Sequence, residues 1–256
     1  MSQINADVLA VSPIRCFKEN KEIAQATGFF YYFGELYFIT NRHVVIDEND
    51  NYHPDELKLL LHKGDNIEQN KMFSIQLYDA SGKKSWLEHP QYGKEVDVIA
   101  LPIDQGRLNS QYFVKSFGVH DNIPSNIEIS IGEDVLVIGY PLGFRDTINN
   151  LPIARNATIA SVYPVPFEGK PGFLIDSRLH RGTSGSPVST KTMDVIHTTS
   201  GDVEMGRPRR FLMGVHSETL ILDRDPEVDE PLGLNFVWYA NLIPEIINSA
   251  LWQMLH

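Results

Sequence analysis

Short apolar runs, separated at close intervals by turn-forming residues, dominate this chain. Residues 29–33 and 36–40 are rich in aromatic side chains and flank Gly34-Glu35, which predicts a β-hairpin with a two-residue turn. Eight further runs have strand character: Leu57–Leu61, Phe73–Tyr78, Val96–Leu101, Val135–Ile138, Ala157–Tyr163, Gly172–Ile175, Phe211–His216 and Phe236–Tyr239. Since Gly, Pro, Asn and Asp separate them by short connections, the pattern favours β-barrels or sandwiches over βαβ units.

Helical periodicity is clear only near the C-terminus, from about Pro244 to Met254. Pro244 suits the first turn of a helix. One apolar stripe follows, formed by Ile243, Ile247, Ala250, Leu251 and Met254. We expect this stripe to pack on the body of the protein, with a groove on a partner as the alternative. Residues 189–210 are polar and aperiodic, which predicts a long surface loop.

Composition narrows the class of protein. The chain has 256 residues, of which 42% are hydrophobic and 21% charged, as in a folded soluble protein. Its net charge of −11 argues against nonspecific binding to nucleic acid or to an anionic membrane. The N-terminus has no secretory pattern and no apolar window is long enough to span a bilayer, so we expect a cytoplasmic protein. The single cysteine, Cys16, excludes an intrachain disulfide framework and is expected to be a buried, unreactive thiol.

The run Gly182-Thr183-Ser184-Gly185-Ser186-Pro187 carries the strongest chemical signal. Two glycines allow a tight turn that leaves one hydroxyl exposed and aims successive backbone N–H groups at one point. A serine beside converging N–H donors is what acyl transfer requires.

A serine nucleophile needs a general base and a group that orients the base. His43 directly follows the strand 36–40 and lies between apolar residues, which can hold its ring rigidly. Asp97 lies within the apolar run that begins at Val96, where a carboxylate is costly unless it is paired. His43, Asp97 and Ser184 are therefore the candidate triad.

In this order and in these local contexts, the three residues resemble those of a trypsin/chymotrypsin-like serine peptidase of the bacterial branches. Thr27-Gly28-Phe29 with residues 40–45 is similar to the hairpin that leads to the catalytic histidine. Residues 132–143 resemble the opening of the second barrel in the HtrA group, and Asp176 matches an aspartate of the same group. The run Ser-Gly-Ser-Pro-Val at 184–188 is similar to the pattern of glutamyl endopeptidases.

The resemblance implies an all-β fold of two antiparallel six-stranded β-barrels with a C-terminal helix. Residues 1–120 would form the barrel that carries His43 and Asp97, and residues 121–256 the barrel that carries Ser184. Together they would form one peptidase domain with the site in the cleft between the barrels. Ser184 would attack a peptide bond and form an acyl-enzyme, with the N–H groups of Gly182 and Ser184 as the oxyanion hole.

Three further positions bear on substrate binding under this resemblance. Arg178 stands where trypsins have an aspartate, which argues against cleavage after Lys or Arg. Gly214-Val215-His216 is similar to the Gly-x-His of glutamyl endopeptidases, so His216 is expected to contact an acidic or amide P1 side chain; the alternative is a hydrogen-bonded barrel histidine. Ser217 falls where the family places a serine that supports the aspartate. Thr183 replaces the aspartate that pairs with a newly cut N-terminus, so no activation of that kind is expected.

Other sites find little support in the sequence. Residues 47–51 fail as a calcium loop, no Cys/His spacing indicates zinc, and no cofactor or metal is implied.

Under the peptidase resemblance, the chain is expected to bind a protein or peptide substrate, and a regulatory partner protein is compatible with it. The alternatives are a catalytically silent or gated trypsin-fold scaffold, and an esterase, although Ser184 lies in no Gly-x-Ser-x-Gly elbow.

Overall fold

The predicted aromatic hairpin forms the centre of the N-terminal half. The computed structural model describes residues 5–48, 50–64, 66–108, 111–225 and 228–255, with side chains throughout except at 221–231 and 249–256. After a short helix α1 (Ala6–Ala10), the strands are β1 (Val11–Lys18), β2 (Lys21–Phe33), β3 (Glu35–Thr40), β4 (Glu56–Lys63), β5 (Asn66–Gln76), β6 (Ile99–Pro102) and β7 (Phe117–Gly118), with α2 (Gln105–Leu108) between the last two. Tyr31 faces Tyr37 across the hairpin, and Gly34 takes the positive φ of its tight turn.

These strands form one seven-stranded sheet. The order is β5-β4-β1-β2-β3-β6, and β7 pairs with β2 in parallel. The two outer strands are linked by residues 85–87: Ser85 N–H donates to the Leu77 carbonyl just beyond β5, and Leu87 N–H donates to the Ala100 carbonyl in β6. In the expected six-stranded barrel, the edge strands β5 and β6 would pair directly. Here residues 85–87 join the two edges instead, because β5 ends before it can reach β6.

The C-terminal half contains a closed six-stranded barrel, as predicted. Its strands are β8 (Asp134–Gly139), β9 (Ile153–Ile159), β10 (Gly172–Asp176), β11 (Pro187–Thr190), β14 (Leu212–Asp225) and β15 (Val228–Tyr239), in the order β10-β15-β14-β11-β8-β9. Strands make up 51% of the structure and helices 11%, which confirms the mostly β fold with a C-terminal helix.

The prediction of a loop over residues 189–210 was wrong. Residues Met193–His197 (β12) and Val203–Arg209 (β13) form an antiparallel hairpin outside the barrel, with Val195 opposite Met205. All of its side chains except those of Met193 and Ile196 are exposed, so neither strand shows the alternation of buried and exposed positions that identifies a strand in sequence.

The two halves share a hydrophobic core. One buried cluster belongs to the N-terminal sheet alone and includes Phe38 and Leu57. The larger cluster combines Phe29 and Val98 from the N-terminal half with barrel residues such as Val137. Because the two halves share a core, the walls of a cleft between them keep a fixed relative position. The boundary between the two halves at residue 120 remains a prediction.

The C-terminal helix α3 (Leu242–Leu255) packs on the body of the protein through buried Ile243, Ile246 and Ile247. The three other residues of the predicted stripe, Ala250, Leu251 and Met254, lie outside the described side chains. Glu245 reaches the N-terminal half, where its carboxylate lies 3.1 Å from His89 Nε2. In the described part of the chain, none of the helices has the length and apolarity needed to cross a membrane.

Thr27, fully buried on β2, fastens the serine-bearing loop to the N-terminal sheet. Its hydroxyl donates to the Gly182 carbonyl at 2.7 Å and accepts from Tyr140 N–H at 3.0 Å. Its N–H donates to the Ser184 carbonyl at 2.9 Å. One buried threonine therefore binds two segments of the other half.

We expect Thr27→Val to destabilise the protein although it preserves shape. The substitution leaves the Gly182 carbonyl and the Tyr140 N–H buried and unpaired, at roughly 1–3 kcal/mol for each group. Urea unfolding checks this through a lower midpoint at unchanged slope. Thr27→Ser, which keeps the hydroxyl, is the control, and equal midpoints for Thr27→Val and the wild type would contradict the role assigned to the hydroxyl.

Candidate active site

Asp97 fixes both the backbone and the ring of His43. β3 ends at Thr40, and a single 3-10 turn over residues 42–44 follows. The backbone N–H of His43 donates to Asp97 Oδ1 at 2.8 Å, and His43 Nδ1 lies 2.7 Å from Asp97 Oδ2. The Asn41 amide donates to the Asp97 carbonyl at 2.7 Å, and the Ser217 hydroxyl donates to Asp97 Oδ2 at 2.7 Å. The sequence-predicted aspartate, histidine and supporting serine are therefore in direct contact.

Two opposing effects set the pKa of His43. Burial alone disfavours the imidazolium and lowers the pKa, while the hydrogen bond to Asp97 and its negative charge raise it. The electrostatic contribution wins, and the pKa of His43 is raised above its usual value. With Nδ1 held by the carboxylate, the free imidazole presents Nε2 as its basic nitrogen.

An ion-pair network holds the turn that carries His43. The side chain of Arg42, only 12% exposed, donates two hydrogen bonds to Glu48, at 3.0 and 2.6 Å, and one to Glu88 at 3.3 Å. Glu88 also accepts from Trp86 Nε1 and pairs with Lys84. These bonds oppose its desolvation, and its pKa is lowered below the usual range. Arg42 thus anchors the residue before the candidate base to two other segments.

The nucleophile loop, defined as residues 180–185, is shaped by two glycines with positive φ. Gly185 (φ 82°) lies against the backbone of Thr27 and the hydroxyl of Thr40, and a Cβ there would overlap both. Gly182 (φ 91°) follows a peptide whose carbonyl, that of Arg181, accepts from Leu142 N–H at 2.7 Å. Because a trans peptide points its C=O and N–H in opposite directions, the Gly182 N–H points away from Leu142. Within the described residues, the N–H groups of Gly182 and Ser184 have no hydrogen-bond acceptor.

His216 on β14 is a second histidine beside the cleft, and its titration is shifted in the opposite direction. Its side chain is 2% exposed, and Nδ1 lies 3.0 Å from the Thr183 carbonyl. Burial lowers the pKa of His216 to about 4, so the ring is neutral near pH 7. Nε2 is buried and has no hydrogen-bond partner in the described part of the structure. The neighbouring Asn235 amide donates instead to the Ser177 and Gly233 carbonyls.

One open cleft of about 760 Å³ brings the predicted residues together. His43, Asp97, Ser184, His216 and Ser217 all line it. No hydrogen bond joins the Ser184 hydroxyl to His43 among the described residues, a common state of catalytic groups without substrate. Arg178 is exposed and is not among the cleft-lining residues, and its carbonyl accepts from Arg155 at 2.7 Å. Its placement gives no support to a role in substrate binding.

Sequence reasoning overlooked two positions that shape the site. Thr27 was recognised only as part of a motif, whereas the structure shows its side chain bound to the nucleophile loop. Leu142, a non-glycine residue at φ 52°, holds the Arg181 carbonyl with its N–H. Leu142-Gly143 after a proline hints at a tight turn, but a backbone bond to a residue far along the chain leaves no trace in sequence.

Residues 26–196 match the model of the trypsin-like peptidase domain. The match covers most of the chain, which therefore belongs to the trypsin-like peptidase family. A search of curated proteins found no similar sequence.

Solved structures with the same fold are distant in sequence. A serine endoprotease from Yersinia pestis has a TM-score of 0.51 at 16% identity, over 94% of this chain and 62% of that one. An inactive serine-to-alanine mutant of Rv3671c from M. tuberculosis H37Rv has a TM-score of 0.50 at 17% identity, over 95% and 87%. The HtrA-type protease AlgW, with a tripeptide, has a TM-score of 0.51 at 15% identity, over 94% and 60%. The chain thus spans less than two thirds of two of these three proteins.

We expect the charge of Asp97 to be what keeps the pKa of His43 high. In a Ser184→Ala background, Asp97→Asn removes the two largest contributions that raise this pKa and leaves burial, which lowers it, opposed only by the charges of Glu218 and Asp47. The NMR titration midpoint of the His43 ring should therefore move to lower pH. An unchanged His43 midpoint would show that the Asp97 contact does not control the base.

Proposed function

We propose that this protein is a serine endopeptidase that uses His43, Asp97 and Ser184. The observation that carries the proposal is the pair of hydrogen bonds from His43 to the Asp97 carboxylate, in the same cleft as the half-buried Ser184. Membership of the trypsin-like peptidase family supports hydrolase chemistry at this cleft.

The residues suit the steps of peptide hydrolysis in order. His43 Nε2 takes the proton of the Ser184 hydroxyl as Oγ bonds to the carbonyl carbon of the substrate. Asp97 stabilises the imidazolium that forms and keeps the ring oriented. His43 then gives the proton to the leaving nitrogen as the C–N bond breaks. Water, activated in the same way, hydrolyses the ester and regenerates Ser184.

The N–H groups of Gly182 and Ser184 are the proposed oxyanion hole. Two observations support this: both are free of acceptors in the described structure, and the bond from Leu142 to the Arg181 carbonyl keeps that carbonyl turned away. Each such donor contributes on the order of 3 kcal/mol to stabilising the transition state.

Fluorophosphonate labelling tests the enzyme proposal. Wild type should react covalently at Ser184, and Ser184→Ala should not react. Asp97→Asn should slow labelling by about 10⁴-fold because the base loses its orientation. A wild type that labels no better than Ser184→Ala would leave the silent scaffold as the better description. When wild type is labelled, a comparison of protein N-termini in cells that express wild type or Ser184→Ala identifies natural substrates.

We further propose that His216 contacts the P1 side chain and favours an amide or an acid there. Its buried, unpartnered Nε2 lies beside the cleft that holds Ser184, and Thr219, also in the cleft, donates to Asn235 next to it. With Nδ1–H donated to the Thr183 carbonyl, neutral His216 offers Nε2 as an acceptor, which suits an amide N–H. A P1 carboxylate instead requires a proton on Nε2, so its binding takes up a proton.

This difference predicts a pH-dependent choice between Glu and Gln. Because the pKa of His216 is lowered to about 4, cleavage after Glu should weaken relative to Gln as pH rises from about 5 to 8. A P1 peptide library assayed across this range measures the ratio. His216→Leu should remove the pH-dependence and reduce both activities. Cleavage after Leu or Arg but not Glu or Gln would leave His216 as a barrel histidine that supports Thr183.

A further inference from the structure

A second groove meets the nucleophile loop at His180. We call it the 141–147 groove; it has a volume of about 700 Å³, and its walls include Leu142, Phe144, Arg145, Arg155 and His180. It shares only His180 with the catalytic cleft. None of the residues assigned to catalysis or to P1 contact belongs to it.

The groove combines exposed apolar side chains with unpaired positive charge. Leu142 is 69% exposed and Phe144 68%, and because both line the same groove they form one exposed apolar surface. Arg145 donates to the Gly143 carbonyl at 3.2 Å and Arg155 to the Arg178 carbonyl at 2.7 Å. Neither guanidinium makes an ion pair within the described residues, and no carboxylate lines the groove.

The charge and the apolar surface of the 141–147 groove indicate which kind of ligand it binds. The chain as a whole carries a net charge of −11, so two arginines in a groove with no carboxylate among its lining residues form a local site of opposite sign. Guanidinium groups bind carboxylates by paired hydrogen bonds, and an adjacent aromatic surface accepts apolar side chains. The complementary ligand is an acidic peptide segment with large apolar residues.

The groove is bonded directly to the loop that holds the nucleophile. Leu142 N–H holds the Arg181 carbonyl at 2.7 Å. The His180 carbonyl accepts from both the N–H and the hydroxyl of Thr183, at 3.2 and 2.7 Å. Residues of the groove therefore fix the peptides on both sides of Gly182. A ligand that immobilises Leu142 and His180 also immobilises these peptides.

We propose that the 141–147 groove binds an acidic, apolar segment of a partner protein, and that its occupancy stabilises the nucleophile loop in the form competent for acyl transfer. The binding proposal depends only on the features of the 141–147 groove, whereas the proposed effect on catalysis rests on the proposed peptidase function.

Binding is tested with full-length Ser184→Ala, which cannot consume the probe. The probe is a blocked peptide containing Phe, Leu and two Asp residues, and the same peptide with Lys in place of Asp is its control. Calorimetry should detect the acidic peptide only. Phe144→Ser and Arg155→Gln should each weaken it about tenfold or more. Two control variants should leave binding of the acidic peptide unchanged. Ile148→Ser changes a residue of the same loop that is equally exposed (68%) but outside the groove, and Arg207→Gln changes a residue of the β12–β13 hairpin.

Coupling to the nucleophile loop has its own measurement. In Ser184→Ala, the acidic peptide should slow hydrogen exchange of the amides of residues 180–186. In wild type, it should accelerate fluorophosphonate labelling severalfold, and Phe144→Ser should abolish the acceleration.

The outcomes separate the two proposals. No binding of the acidic peptide, or binding unaffected by Phe144→Ser and Arg155→Gln, overturns the groove assignment. Groove-dependent binding with unchanged exchange and unchanged or slower labelling overturns the coupling. Groove-dependent binding and slowed exchange without any labelling of wild type count against the peptidase function and support the groove.

Discussion

The site depends on the attachment of the nucleophile loop to the N-terminal sheet through Thr27. The candidate base and nucleophile come from different halves of the molecule, and their separation must be held to a fraction of an ångström for proton transfer. Thr27 meets this need with a backbone donor to Ser184 and a hydroxyl that binds both Gly182 and Tyr140. The shared core excludes water around these bonds, which increases the cost of breaking any one of them.

Two histidines in one cleft illustrate how environment divides roles. His43 is half-buried but faces a carboxylate, so its pKa rises; burial lowers the pKa of His216 to about 4, although the hydrogen bond to the Thr183 carbonyl opposes this shift. His43 is therefore the more basic of the two, and near pH 7 His216 is a neutral hydrogen-bonding group. Pairs of titratable groups whose pKa values are pushed apart are what acid–base chemistry in a confined site requires.

The sequence was sufficient to predict the fold class and three residues that meet in one cleft, but not the connections between distant segments. His43, Asp97 and Ser184 each follow or interrupt a recognisable local pattern, and the structure places all three in one cleft. The β12–β13 hairpin was missed because its strands lack a buried face, and alternation is the signal by which a strand is recognised. The roles of Thr27 and Leu142 rest on bonds to residues far along the chain, which no local pattern encodes. Arg178 was considered for substrate binding only because of its position before Ser184 in the sequence. The structure places it beyond the end of β10, where its side chain is exposed.

The attachment of Thr27 also has a consequence for folding. The Thr27 hydroxyl and the Gly182 carbonyl are separated by 155 residues in the chain. Contacts of such high sequence separation carry the largest loop-closure entropy and tend to form late. A nascent or partly folded chain would then hold its histidine and its serine in separate halves. Under the proposed peptidase function, the geometry needed to cut a peptide bond would arise only once folding is nearly complete. A partly folded chain, itself the most exposed to cleavage, would then be unable to cleave its neighbours.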